Sequence, residues 1–246
     1  MSLDRTGVVI VGGGPGGLAP LLAAHRRGRL AELLKEGVTL VEQSGSVGEG
    51  SLGRWCINSD STGFTFADCL AGPADSELAA LRNHPLTKEL VEVGDGTVPL
   101  RRAGEFLALV GRAMNQVITA APNGRVLKRH KAVSTERTRT GWLTLLRDVE
   151  TGRAHTIESK HVILATGATQ PIERLQNEQV AGVNLAERCG QRLLQSGDVL
   201  STTGFAAVAA SLGALGRPPR VVIIGGSTSA AAVCFGWAAS GWTRVS

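Results

Sequence analysis

Four stretches carry residues whose types and spacing suit chemistry. Between Gly7 and Gly17, an apolar run breaks into glycine, with Gly12, Gly14 and Gly17 forming G-x-G-x-x-G around Pro15 and Gly16. Such a pattern fits a pyrophosphate: the first glycine permits a tight turn, the second lets phosphate approach bare backbone, and the third lets a helix lie against the strand. The unpaired N–H groups of the helix start then face the negative charge. Glu42, followed by Gln43, closes the next apolar run, where a carboxylate can accept from a ribose diol. It stands 25 residues beyond Gly17, against the usual ~20. Ala165-Thr166-Gly167 ends a third run at a point where open α/β sheets place their ligands. The stretch from Arg220 to Ala230 repeats the opening design, with Gly225 first, Ser227 for the second glycine, and Ser229 before Ala230 in the third place. A glycine loop without a ligand is the bland alternative for the first stretch, and a mere structural repeat for the last.

Other chemistries find little support. Cys56, Cys69, Cys189 and Cys234 form no C-x-x-C and no zinc pattern with the histidines, so buried free thiols are expected rather than a dithiol centre or a metal. The chain has 246 residues, 43% hydrophobic and 19% charged, as in globular proteins. No apolar run approaches the ~18 residues of a membrane span. The opening apolar run follows Asp4 and Arg5 and flows into the glycine turn, unlike a signal peptide. A cytoplasmic protein without a membrane partner is expected. Net charge is +5, but the basic residues are scattered or paired, as at Arg26-Arg27, and aromatic content is 4%, so no nucleic-acid partner is expected.

The elements that must position these residues can be read from periodicity. Val8 to Val11 reads as a buried parallel strand, Gly16 to Leu34 as one amphipathic helix lengthened by a basic extension, and Val38 to Val41 as a second strand. A glycine- and serine-rich loop follows to Asn58, in which Arg54 and Trp55 offer a cation and a flat face to a cofactor, or equally a surface charge and a core residue. The spacing predicts short helices near Asp75–Leu81 and Thr87–Val93, then a long helix over 104–120 whose apolar stripe is core. From Gly124 the period nears two, predicting antiparallel strands at Val126–Val133, Trp142–Leu146 and Ala154–Ile157. Packing explains Val133 at the end of the first of these, although the flavoprotein family that the sequence resembles, named below, implies a backbone contact with adenine there. Val162 to Leu164 reads as another buried strand, 203–215 as a helix, and Arg220 to Ile224 as a strand.

Gly53-Arg54-Trp55, after the strand-end acid and its glycine loop, resembles the Gly-x-Trp of the two-dinucleotide-binding-domain flavoproteins. That group includes flavin-containing monooxygenases, Baeyer–Villiger monooxygenases, and N-hydroxylases of ornithine or lysine. The resemblance implies FAD, with Gly12, Gly14 and Gly17 at its pyrophosphate, Glu42 at its adenosine ribose, and Ala165-Thr166-Gly167 nearby. It implies a Rossmann-like α/β domain with a parallel sheet and an inserted antiparallel meander over 1–216, and the start of a second, NAD(P)-binding Rossmann unit over 217–246. It also implies an NAD(P)H-dependent monooxygenase acting on a small molecule, with the catalytic residues unassigned.

One strand and one helix do not close a Rossmann half, and the Gly-Asp segment with which relatives complete the FAD domain is not found after the second unit. The chain is therefore read as C-terminally truncated, or as a fragment completed by another chain. A flavin-binding subunit that works through a partner chain or a second copy is the alternative function. A single-nucleotide NAD dehydrogenase is the third, and Ala165-Thr166-Gly167 argues against it.

Overall fold

The computed structural model describes residues 4–169, 171–216 and 219–239. The chain forms two compact units: residues 1–53 with 58–167, and residues 54–57 with 168–246. The expected boundary lay at 216.

In chain order the first unit contains β1 (Asp4–Val11), α1 (Pro15–Arg26), α2 (Leu30–Glu36), β2 (Val38–Glu42), β3 (Asn58–Thr62), α3 (Gly63–Ala67), α4 (Glu77–Ala80), α5 (Pro85–Val93), β4 (Thr97–Pro99), α6 (Leu100–Ala120), β5 (Gly124–Lys128), β6 (His130–Arg137), β7 (Trp142–Asp148) and β8 (Ala154–Leu164). Six strands form one sheet in the order β5-β2-β1-β8-β7-β6. The neighbours among β5, β2, β1 and β8 pair in parallel, and β7 and β6 continue antiparallel. Counted along the chain, the parallel strands lie 3-2-1-4, the order of a Rossmann half with its switch point between β1 and β8. Strand alternation gives each face its own core. Val8, Ile10, Val38 and Leu40 pack with Leu18 and Leu21 of α1 and with Phe106, Val110 and Met114 of α6. Val9, Val11 and Val41 pack on the other face with Leu146 and Ile157 of the meander.

Three expectations about elements of the first unit are corrected. The helix expected from Gly16 to Leu34 is two helices, because Gly28 takes φ +66°. Its N–H donates to the His25 carbonyl and that of Arg29 to the Ala24 carbonyl, closing a Schellman cap. The strand expected from Val126 to Val133 breaks at Arg129, which takes φ +58°. Residues before it therefore join the parallel sheet beside β2, and those after it begin the meander. The segments expected at Ala154–Ile157 and Val162–Leu164 are one strand, β8, antiparallel to β7 at its start and parallel to β1 at its end. Its last residues are less buried than expected, and Leu164 is exposed.

The second unit contains α7 (Ile172–Asn177), β9 (Gln179–Val180), β10 (Val183–Asn184), α8 (Leu185–Cys189), α9 (Ser196–Val199), α10 (Thr202–Gly213) and α11 (Thr228–Ala239). Its core joins Val199, Leu200 and Val233 to Trp55, Phe205, Val221 and Ile223. Arg220 to Ile224, expected as a strand, has no ladder partner among the described residues and forms no strand. Val221 and Ile223 pack inward, while Val222 and Ile224 are 82% and 80% exposed.

Candidate dinucleotide site

The glycine turn and the Ala-Thr-Gly strand exit, far apart in the chain, meet at the carboxyl edge of the sheet. Val11 pairs with Leu164, and the Ala165 N–H donates to the Val11 carbonyl at 2.7 Å. Gly12 takes φ +105°, and a Cβ there would lie 2.1 Å from the Ala165 carbonyl oxygen. Gly17 sits so close beneath the turn that its Cβ would lie 1.8 Å from the Gly12 carbonyl oxygen. The two glycines therefore allow strand, turn, helix and strand exit to interlock.

Gly14 caps α1 without a side chain, and Pro15 opens its first turn, where the missing N–H costs no hydrogen bond. The first turn of α1 holds no acid. Gly14 accepts from the N–H groups of Gly17 and Leu18 through its carbonyl, while the N–H groups of Gly14 and Gly16 have no partner among the described residues. Two unspent donors at the positive end of a twelve-residue helix suit an anion.

Glu42 ends β2 half-buried beside this turn. Its two carboxylate oxygens accept separately, one from the Gly13 N–H at 2.7 Å and one from the Ser44 N–H at 2.7 Å. Each oxygen keeps a further lone pair for a hydroxyl donor. Gly13 and Ser44 were not among the residues singled out from the sequence. Gly13 occupies the variable position of the fingerprint, and nothing in that pattern says that its N–H meets the acid. Gly48 adds a second tie, its N–H donating to the Gly13 carbonyl at 2.7 Å.

The other candidates lie elsewhere. Gln43 is exposed next to Glu42, and Val133 is exposed on β6, at an irregularity in its pairing with β7. Arg54 and Trp55 belong to the second unit. Trp55 bridges to Ser201 and packs in that unit's core, and the Arg54 guanidinium stands 5.2 Å from the centre of its ring. Gly225 takes φ +125° and is exposed with Ser227, whereas Ser229 and Ala230 lie half-buried in the first turn of α11.

All four cysteines are free, but they are not the buried thiols expected: Cys56 is exposed and the others are half-buried. Burial, with Asp68 adding to it, pushes the Cys69 thiol up to about 12, and burial also raises Cys56, whose thiol donates to the Leu200 carbonyl. Protonated thiols are poor nucleophiles at neutral pH.

Residues 6–243 match the family described as pyridine nucleotide-disulphide oxidoreductase. The chain belongs to this family. A curated relative, the CMP-5'-(3-aminopropyl)phosphonate hydroxylase of Streptomyces rubellomurinus, is 35% identical over 227 residues. The match takes in 92% of this chain and 50% of the relative, so the chain spans half the length of the curated relative it matches. Among solved structures, the rebeccamycin biosynthetic enzyme RebC with reduced flavin is 17% identical, with a TM-score of 0.42, over 72% of this chain and 35% of its own. The flavin-dependent monooxygenase PieE in complex with FAD and substrate is 20% identical, with a TM-score of 0.38, over 70% and 32%.

Proposed function

We propose that this chain is the flavin-binding part of an NAD(P)H-dependent monooxygenase that hydroxylates a small molecule. The observation that carries the proposal is the meeting of the glycine turn and the Ala-Thr-Gly exit at the switch point, with open N–H donors on one side and the Glu42 carboxylate on the other. Family membership and the named activity of the Streptomyces relative support it. The donor set fits FAD: Gly14 and Gly16 would hold the pyrophosphate, with Pro15 stiffening the turn and Gly12 and Gly17 permitting it. Glu42 and Gln43 would take the adenosine ribose, Val133 the adenine by its backbone, and Ala165, Thr166 and Gly167 the flavin side. Gly225, Ser227, Ser229 and Ala230 would contribute to a nicotinamide nucleotide site in the region 217–246. When bound, FAD supplies hydride acceptance and oxygen activation, and the protein supplies position, polarity and exclusion of water.

The test is an absorbance spectrum of the purified chain before and after NADPH, repeated with NADH. A yellow protein bleached by one of them is expected; a colourless protein that takes up no added FAD overturns the flavin reading. The relative acts, by its name, on a nucleotide-linked aminoalkylphosphonate, and that substrate class is the first to try.

A second reading, a flavin-binding subunit that needs another chain, is favoured by the exposure of Val222 and Ile224 on a segment without a ladder partner among the described residues. A yellow protein inert to both nicotinamides would support it.

A further inference from the structure

A second concavity of about 370 Å³ lies in the first unit between the loop after β2 and the outer face of α6. α6 turns Phe106, Val110 and Met114 into the core. Arg112, Asn115 and Gln116 lie three and four residues apart on one side of the helix and line the cleft, faced by Ser46 and by Lys128 at the end of β5. No carboxylate lines it.

The charges here are unspent. Arg112 and Lys128 form no ion pair among the described residues, although seven other arginines do. The side-chain amides of Asn115 and Gln116 likewise have no hydrogen-bond partner among the described residues. The Arg129 guanidinium lies beside Gly45 at the same loop, paired with Glu150. None of the lining residues belongs to the glycine turn, to Glu42 or to the strand exit, although Lys128 pairs with Glu42 across β5 and β2, so the cleft adjoins the Glu42 end of the dinucleotide site without sharing its residues.

We infer that this cleft binds a small molecule through a phosphate or phosphonate group, held between Arg112 and Lys128. A dianion can answer both cations at once, the guanidinium offering a two-pronged donor set and the ammonium a point charge. Asn115 and Gln116 supply neutral donors, and either can accept from the rest of the ligand.

Calorimetric titration of the full chain, with and without added FAD, tests this using inorganic phosphate and CMP as separate probes. Saturable binding of at least one probe is expected, weakening with added salt. CMP tighter than phosphate identifies a nucleotide ligand, and equal affinity a free phosphate; both support the site. Arg112→Gln and Lys128→Gln should each weaken binding about tenfold, the low end of what a charge-assisted hydrogen bond contributes, and the double variant should abolish it. Both side chains are exposed, so far-UV circular dichroism should be unchanged. The inference is overturned if neither probe binds saturably, if the double variant binds as well as the parent, or if FAD displaces the probe. Whether the chain binds FAD is read separately from its colour, so failure here leaves the flavin reading standing.

Discussion

At the scale of single residues, Gly12 and Glu42 bear most directly on the crevice. Replacing Gly12 by alanine would put a methyl group into the Ala165 carbonyl at a backbone angle that side chains avoid. We expect Gly12→Ala to cost about 3 kcal/mol or more and to leave the protein without flavin, as read by urea melts and by absorbance. Glu42→Gln keeps the shape, but its amide nitrogen must face the N–H of either Gly13 or Ser44. A stability loss of about 1–3 kcal/mol and FAD binding weaker by about tenfold are expected, the latter from flavin fluorescence titration. His25 gives a pH effect. It is buried beneath Gly72, with Ser76 Oγ 3.5 Å from Nε2, and its pKa is lowered first by burial and then by Arg82. The unfolded chain takes up the proton near 6.5 while the folded chain resists it. Stability is thus fully present above that value and falls as the pH drops from it toward the lowered folded one. Melts at pH 7.5 and 5.5 should show this slope, and His25→Gln should flatten it.

At the scale of elements, the opening strand, turn and helix, the second strand and the long α6 were legible because hydrophobic period, glycine and acid agreed there. The sequence-based errors came where one residue's backbone decided the outcome. Gly28 was readable as a helix stop, yet the leucines on both sides kept the helical period and masked it. Arg129 carries no signal at all, since an arginine in the left-handed region is set by its surroundings: its N–H donates to the Ser44 carbonyl and its carbonyl accepts from Val149. The contact between Gly13 and Glu42 was invisible for a similar reason, because backbone donors have no letter of their own. The sheet also contains a removable cost. Thr39 in β2 is fully buried, and its hydroxyl has no partner among the described residues. Thr39→Val should therefore stabilise the protein by about 1 kcal/mol, measured by urea denaturation.

At the scale of the whole molecule, each unit has its own core, and no helix among the described residues is long and apolar enough to cross a membrane. A ligand that binds only the folded first unit must stabilise it. FAD at about a hundred times its Kd adds about 2.7 kcal/mol, which should raise that unit's Tm by about 5–10 °C; differential scanning calorimetry with and without FAD would check this. The β1–β8 pairing, spanned by the Arg5–Glu158 ion pair across 153 positions, also has a consequence for synthesis. A ribosome adding about 5–20 residues per second leaves β1 without its β8 neighbour for on the order of ten to thirty seconds. During that interval the nascent chain exposes an unpaired valine-rich edge, and chaperone supply rather than cofactor supply should limit the yield of folded protein.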